Sequence, residues 1–331
     1  MPSDPAFVAA VCDAPEDDAP RLVYADWLDD HGEADRAELI RVQVERARLP
    51  KEGPRAQALK AREDALLKAR RDDWLRELPA WARLAAGFVR GFVGAVVARS
   101  REFLKGAAVL FRRAPVRQVC LLGLTDAQAA ALAASPFLEH LTGLEVGANS
   151  LTGAGWRALV VAPGLANVAA LELTAHSFSP AEAHALAYAP HLPNLTRLLL
   201  YGARLGPRGA HLGDRGLEEL AGSPHLARLT TLHLVECLLG DGAARALAAA
   251  PHLTRLADLR LYDNHIGPGR AGVAARPRPG QEHPRRRGGR VPGPFAAADR
   301  PDLPESVTLW DPAGRRPRPG RLAQPGRRHR T

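Results

Sequence analysis

The sequence predicts an α/β solenoid in which parallel strands line a concave face and helices line the convex face, preceded by a small all-α domain. A short apolar motif recurs six times between residues 116 and 269, and a segment with helical apolar spacing follows each of the first five copies. The chain before the motif has mainly helical spacing. A single unit cannot bury its own leucines, whereas stacked units form a continuous core.

The recurring motif has the form L-x-x-L-x-L, with Val in place of Leu at some positions. Its copies begin at Val116, Leu141, Val168, Leu195, Leu229 and Leu256. Apolar residues alternate within the motif, as they do in a strand that buries one face. One step is 34 residues long instead of the usual 27, and we place the seven extra residues in a loop near Gly206–Leu212.

A helix is predicted after each of the first five strands. These helices span Asp126–Ala134, Gly155–Val161, Pro180–Ala189, Asp214–Ala221 and Asp241–Ala249. Capping boxes formed by Thr125 with Gln128 and by Ser179 with Glu182 mark two of the starts. A proline follows each helix, and proline cannot continue a helix.

The motif and its helical segment together resemble the leucine-rich repeat of the long, ribonuclease-inhibitor type. In that family the residue eight after the first leucine is Asn or Cys, whose side chain satisfies backbone groups at the bend after the strand. The corresponding residues here are Asn149, His176, Ala203, Cys237 and Asn264. Three of the five fit the family, and the resemblance implies that Cys237 is structural and not a nucleophile.

The front of the chain carries a second resemblance. Residues 7–43 contain the segment Arg21-Leu-Val-Tyr-Ala-Asp-Trp-Leu28, followed by Glu38-Leu-Ile-Arg-Val-Gln43. They resemble the bacterial repeat-companion domain, a short module found in front of repeat arrays, and the resemblance covers nearly the whole module. It implies a helical domain over residues 1–48 and assigns it no biochemical activity.

Two or three short helices are expected in this module. Tyr24, Trp27 and Leu28 have the spacing of one apolar helix face, with Asp13 or Asp17 as the cap and Gly32 as the stop. The acidic residues between 17 and 30 lack the spacing of a calcium-binding loop, so we interpret them as a solvated helix face.

Two segments connect this module to the repeats. Residues 49–87 are interpreted as an amphipathic helical connector, helical over Pro54–Trp81 and packed on the end of the array, because acidic residues interrupt its basic face. Residues 88–115 are interpreted as an N-terminal capping half-repeat, with one strand over Phe88–Val97 and a helix over Arg101–Arg112.

The leucine-rich repeats occupy residues 116–269, and the pattern stops there. The tail, residues 270–331, holds fifteen Arg and five acidic residues and supplies +10 of charge to a chain whose net charge is +9. Three interpretations remain open for it: a disordered basic tail, an RNA-binding extension, or translation of a shifted reading frame. We expect the tail to be disordered in any case.

The sequence indicates that the protein is not an enzyme. It contains no phosphate-binding loop, no dinucleotide-binding fingerprint, no metalloprotease motif and no nucleophile elbow. We therefore expect no catalytic residue, no cofactor and no metal. Three scattered cysteines form no disulfide framework, which favours a cytoplasmic location. No apolar run is long enough to span a membrane.

Function in a solenoid usually lies on the inner sheet face, at positions 3, 5 and 7 of each motif. Five copies of the motif lie from residue 141 onward. At these positions the first two copies carry small and acidic residues, whereas the last three carry aromatic, basic and apolar residues of the kind that dominate interfaces. The candidate partner-binding residues are Arg197, Leu199, Tyr201, His233, Arg260 and Tyr262. The alternative is an ordinary hydrated sheet face.

The sequence thus predicts a monomeric, non-enzymatic scaffold that binds a protein partner on the concave face of its repeats. Two other functions remain open. One is regulation of an enzyme, similar by fold alone to GTPase activators that share this repeat type. The other is nucleic-acid binding through the basic segments, although nucleic acid is not the expected partner.

Overall fold

The protein is an α/β structure built on one mostly parallel sheet. A computed structural model describes residues 4–50, 52–83, 85–147, 149–174, 178–202 and 211–267. These residues form ten α-helices and eight strands, and the strands lie in the sheet in the order in which they occur in the chain. The sheet is open, with β1 and β8 as its first and last strands among the residues described.

Four helices precede the sheet. They are α1 (Pro5–Asp13), α2 (Ala19–Asp30), α3 (Ala34–Ala47) and α4 (Pro54–Leu75). The Asp4 side chain accepts a hydrogen bond from the amide of Ala6 at the start of α1, and Asp17 accepts one from Ala19 at the start of α2. Gly32, with a φ of +79°, stands just beyond the end of α2, where a left-handed residue stops a helix.

The first three helices share a buried apolar cluster. Its members include Val11, Tyr24, Leu28 and Ile40, and Phe92 of the sheet completes it. Leu39 of α3 instead belongs to the main core beneath the sheet. The helices and the sheet are therefore packed against each other through α3 and through Phe92.

Helix α4 is shorter than the sequence pattern predicts, since it ends at Leu75 and only Ala80–Ala82 form a further 3-10 turn. The prediction of a helix over Pro54–Trp81 is corrected accordingly. Pro79 lacks an N–H and disfavours helical backbone before it. The carbonyls left over at residues 76 and 78 accept hydrogen bonds from the guanidinium of Arg83.

The segment expected to form one strand over Phe88–Val97 is an antiparallel hairpin. Strand β1 (Ala86–Val89) pairs with β2 (Phe92–Arg99), and Arg90 and Gly91 form the turn between them with φ values of +48° and +83°. Positive φ at both central residues is typical of the tight turn that joins two antiparallel strands. A continuous apolar run thus hides a two-residue turn.

Side chains of two helices cover the outer edge of β1. Gln43 of α3 donates a hydrogen bond to the Phe88 carbonyl at 3.2 Å, and Arg71 of α4 donates one to the Ala86 carbonyl at 2.9 Å. Gln43 also accepts a hydrogen bond from the amide of Gly91 at 2.6 Å. This buried amide therefore ties α3 to both the strand and its turn.

Helices and parallel strands then alternate along the chain. The strands are β3 (Gln118–Leu122), β4 (Gly143–Gly147), β5 (Ala170–Thr174), β6 (Arg197–Tyr201), β7 (Thr231–Val235) and β8 (Asp258–Arg260). The helices are α5 (Ser100–Arg113), α6 (Asp126–Ala133), α7 (Gly153–Val160), α8 (Pro180–Ala187), α9 (Gly213–Gly222) and α10 (Asp241–Ala248). Both capping boxes predicted from the sequence are present, at Thr125 and at Ser179.

The leucines of the motif form continuous rows across the strands. The fourth motif positions are register partners from strand to strand, in the order Val119, Leu144, Leu171, Leu198, Leu232 and Leu259. The first five are buried, and they belong to one core. Leu259, on the last described strand, is 37% exposed because no further described strand covers it.

The predicted bend residues that the structure describes satisfy backbone groups. Asn149 donates to the Thr174 carbonyl at 2.7 Å, and Asn264 accepts from the amide of Cys237 at 2.9 Å. The Cys237 thiol lies 3.6 Å from the Leu200 carbonyl. His176 and Ala203, all but the last two residues of the predicted loop at Gly206–Leu212, and the tail over 270–331 lie outside the described residues.

Candidate functional site

One face of the sheet carries the side chains that alternate with the core leucines. Successive side chains of a strand point to opposite faces, so positions 3 and 5 of every motif lie on the face away from the leucine core. We call this surface the odd-position face. It comprises Gln118, Cys120, Gly143, Glu145, Ala170, Glu172, Arg197, Leu199, Thr231, His233, Asp258 and Arg260.

Register arranges these side chains in two rows that run across the strands. The position-3 row is Gln118, Gly143, Ala170, Arg197, Thr231 and Asp258. The position-5 row is Cys120, Glu145, Glu172, Leu199, His233 and Arg260. Neighbouring strands lie about 4.8 Å apart, so row neighbours are close enough to share a ligand.

A groove of about 60 Å³ lies on this face over β2 to β6. We call it the sheet groove and define it by Ala95, Gly143, Glu145, Ala170, Glu172 and Arg197. Its floor is low because Gly143 and Ala170 have almost no side chain, whereas Gln118 and Arg197 on either side of them are long. A Cβ added to Gly143 would lie 3.1 Å from Cγ of Gln118. The sheet groove thus follows from small residues at position 3.

The sheet groove carries more negative than positive charge. Glu145 and Glu172 are register partners on β4 and β5, and both side chains are half-buried. Arg197 on β6, the last strand that the groove reaches, supplies one positive charge. A partner that enters this groove therefore meets apolar small residues flanked by two carboxylates and one guanidinium.

The six residues predicted as a binding patch are brought together, but not all of them are accessible. Leu199, His233 and Arg260 are neighbours in the position-5 row. Leu199 is 3% exposed and His233 is 6% exposed, so both side chains are buried in their row, and their part in partner binding stays a prediction. A strand motif shows which face a side chain occupies and does not show what its row neighbours cover.

The other four predicted residues reach solvent to different degrees. Arg197, Tyr201 and Arg260 are half-buried, and Tyr262 just beyond β8 is 51% exposed. Tyr262 therefore remains the most accessible member of the predicted patch.

His233 is held by a residue that the sequence reasoning did not select. Its Nε2 lies 2.8 Å from Oδ2 of Asp258, and Nε of Arg260 lies 3.2 Å from the other carboxylate oxygen. Burial lowers the pKa of His233 and outweighs the opposite effect of Asp258. Burial raises the pKa of Asp258, but the hydrogen bonds from His233 and Arg260 outweigh it and leave that pKa below its usual value.

Arg197 and Leu199 of the predicted patch line the sheet groove, but the small and acidic residues that shape it were not predicted as site residues. Gly143, Glu145, Ala170 and Glu172 were recognised as small and acidic but were not selected. The signal in the sequence was the difference in side-chain size at position 3. Small residues there, with long ones at position 3 of the neighbouring strands, predict a depression in the sheet face. The aromatic and basic residues of the later repeats indicated a site at that end of the array instead.

The described residues carry few groups suited to covalent or metal chemistry. Burial raises the pKa of the Cys237 thiol to about 12 and that of the Cys12 thiol to about 11, so both stay protonated near neutral pH. Among the described residues, no group of three or more His, Cys, Asp or Glu side chains is placed to hold a metal ion. Within the same residues, no helix combines the length and apolar character needed to cross a bilayer.

No model of a known protein family matches the chain, and a comparison with curated proteins finds no significant match.

Proposed function

We propose that this chain is a non-enzymatic scaffold that binds a protein partner on the odd-position face of its sheet. The observation that carries the proposal is the sheet groove, an indentation of about 60 Å³ set in a continuous face of parallel strands. Its floor and its charged walls come from side chains of several strands, as in the extended binding surfaces of repeat arrays.

We also propose that the strands and helices from residue 116 onward are leucine-rich repeats of the ribonuclease-inhibitor type, behind a small all-α companion domain. Two features support this. The motif leucines are in register from strand to strand, and Asn149 and Asn264 both satisfy backbone groups at the bend after a strand. The shared cluster of α1, α2 and α3 supports the helical module.

The chemistry of the sheet groove indicates what kind of partner it fits. Gly143 and Ala170 leave room for small apolar side chains, and Glu145 and Glu172 favour a nearby Lys or Arg. We therefore propose a polypeptide segment that carries a basic residue between small apolar ones. The two carboxylates disfavour nucleic acid on this face, because phosphate groups would meet like charge.

Location and oligomeric state are part of the same proposal. All three cysteines are free, and Cys120 and Cys237 are buried, which is consistent with a reducing compartment such as the cytoplasm. We propose a monomer, whose odd-position face is then available to a partner.

Charge reversal in the sheet groove tests the proposal. Glu145→Lys and Glu172→Lys place like charge where the partner's basic residue would lie, while Glu218→Lys on the exposed side of α9 makes the same change elsewhere. The full chain is used to capture a partner, which is then purified and titrated against all three variants. We expect each groove variant to weaken binding by about tenfold or more and Glu218→Lys to bind as the parent chain does.

An equal affinity of the groove variants and the parent chain would overturn this assignment of the binding face. Circular dichroism spectra of the three variants serve as the folding control, since half-buried or exposed charge reversals should leave the helices and strands intact.

A further inference from the structure

A second cavity lies where the first three helices meet the end of α4, strand β2 and the end of α5. It has a volume of about 30 Å³. We call it the Arg36 pocket, and its polar lining consists of Tyr24, Glu33, Arg36, Trp74, Glu77 and Arg113. It is separate from the sheet groove, and the function proposed above does not use it.

Arg36 of α3 is a buried charge at this pocket. Arg36 is 9% exposed. Its Cζ lies 5.0 Å from the ring centroid of Trp74, 5.1 Å from that of Phe88 and 5.5 Å from that of Phe92. Aromatic faces attract a guanidinium, but its N–H groups lie in its own plane and need separate acceptors. Nη1 of Arg36 has no hydrogen-bond partner among the described residues.

A second buried donor lines the same pocket. The indole Nε1 of Trp74 is also without an acceptor among the described residues. Buried polar groups in folded proteins are nearly always hydrogen-bonded, so two unsatisfied donors beside one cavity point to a missing acceptor. Burial raises the pKa of Tyr24 to about 12, which keeps its phenol neutral at the pocket wall.

Two carboxylates line the Arg36 pocket, those of Glu33 and Glu77. Oε2 of Glu33 lies 3.8 Å from Nη2 of Arg70, so Glu33 is shared with a second guanidinium. Burial lowers the pKa of Arg36, and the charge of Glu77 acts in the opposite direction. Two carboxylates and two guanidiniums leave the pocket without net formal charge. A singly charged anion is therefore better matched to it than a doubly charged phosphate.

The volume of the Arg36 pocket further limits which ligands can enter it. About 10–15 Å³ of such space holds one water molecule, so the Arg36 pocket has room for about two oxygen-sized groups. A carboxylate presents two oxygens in one plane, and the planar guanidinium binds that arrangement through two parallel hydrogen bonds.

We propose that the Arg36 pocket binds a carboxylate group, with Arg36 as its main donor and Trp74 Nε1 as a second. The carboxylate belongs either to a small free acid or to the end of a polypeptide, and both present the same planar anion. Arg113 and the two glutamates stand at the rim, where Arg113 is exposed and both glutamates are half-buried.

The first test uses acetate and acetamide as probes of the full chain. The two have nearly the same shape, and only acetate carries the charge and the two acceptor oxygens. We expect ligand-detected nuclear magnetic resonance to show saturable binding of acetate and none of acetamide. Absence of acetate binding, or equal binding of both probes, would mean that the cavity holds only water and would overturn the proposal.

Variants assign the binding to the pocket. Arg36→Met keeps the length and apolar packing of the side chain, and we expect it to raise the Kd for acetate by about tenfold or more. Arg101→Met, at an exposed position of α5, is the matched control and should bind acetate as the parent chain does. Glu77→Gln removes a negative charge from the rim and should lower the Kd.

A second variant and further probes cover a failure to fold and distinguish a small free acid from a polypeptide end. If Arg36→Met fails to fold, Arg36→Lys takes its place, since it keeps the positive charge and loses the planar N–H donors of the guanidinium. An unchanged Kd in the folded variant, or tighter binding of inorganic phosphate than of acetate, contradicts a carboxylate site. N-acetyl-trialanine is then compared with its C-terminal amide. Tighter binding of the acid form than of acetate supports a polypeptide end, and equal binding supports a small free acid.

Discussion

The imidazole of His233 and the carboxylate of Asp258 are joined by a 2.8 Å hydrogen bond between the neighbouring strands β7 and β8. His233 is almost fully buried, whereas Asp258 is half-buried and also binds Arg260. The odd-position face therefore carries a titratable group whose neutral form is favoured by its surroundings near the last described strand.

Stability should depend on the protonation of His233. Its pKa in the folded chain lies below the ordinary value of 6.5, so the unfolded chain takes up the proton first as the pH falls. The protein should lose stability from this group as the pH drops through 6.5 toward the lower folded pKa, and gain nothing more above neutrality.

Thermal unfolding between pH 8 and pH 5 measures this effect. His233→Gln retains a donor for Asp258 and does not titrate, so its melting temperature should fall less than that of the parent chain over this interval. Parallel curves for the two proteins would contradict the assignment. Asp258 titrates at much lower pH, because its pKa lies below the usual 3.8.

A motif leucine in the middle of the sheet should contribute more to the unfolding free energy than the one on the last described strand. Leu171→Ala removes a side chain that is 1% exposed and should cost about 2–5 kcal/mol of unfolding free energy. Leu259→Ala occupies the same motif position at 37% exposure and should cost no more than about 1–2 kcal/mol. Denaturant titration of both variants checks the order, and equal costs would contradict a core that thins toward β8.

Position 91 in the turn of the hairpin should tolerate only glycine. A Cβ on Gly91 would overlap the side chain and backbone of Ile40, and the φ of +83° adds strain, so Gly91→Ala should cost about 3 kcal/mol. Gly32→Ala is the matched control, since φ there is +79° and nothing lies within 4 Å of the added Cβ. It should cost about 1–2 kcal/mol. Denaturant titration compares the two, and similar costs would show that α3 and the turn are not in close contact.

Accessible tyrosines should contribute to partner binding without contributing much to stability. Tyr262→Ala changes an exposed side chain and should alter the unfolding free energy by no more than about 0.5 kcal/mol while weakening partner binding about tenfold. Tyr201→Ala, at a half-buried position of β6, should also weaken binding. Tyr188→Ala, equally exposed at the end of α8, is the control. Unchanged affinity of Tyr201→Ala and Tyr262→Ala would remove both residues from the interface.

Much of the architecture follows from local spacing and could be predicted. The motif leucines alternate, and the helices that follow them begin at capping residues such as Thr125 and Ser179, so strands and helices were located within a few residues. The hairpin was missed because apolar residues flank Arg90 and Gly91 on both sides, and hydrophobic periodicity alone does not reveal a two-residue turn.

The sites depend on contacts between distant parts of the chain, which spacing does not encode. Leu199 and His233 were assigned to the correct face, but their burial depends on neighbours in other strands. Arg36 appears in the sequence as one charge of an amphipathic helix. Its burial comes from aromatic rings that follow it by about 40 to 55 residues, namely Trp74, Phe88 and Phe92.

The side chains that cover β1 also affect how copies of this protein meet one another. An uncovered border strand presents free carbonyls and amides on which a foreign strand can assemble, and this is a common route to aggregation. Here the Ala86 and Phe88 carbonyls are already bonded to Arg71 and Gln43. A strand from another molecule would first have to displace both side chains, which protects this border from intermolecular pairing.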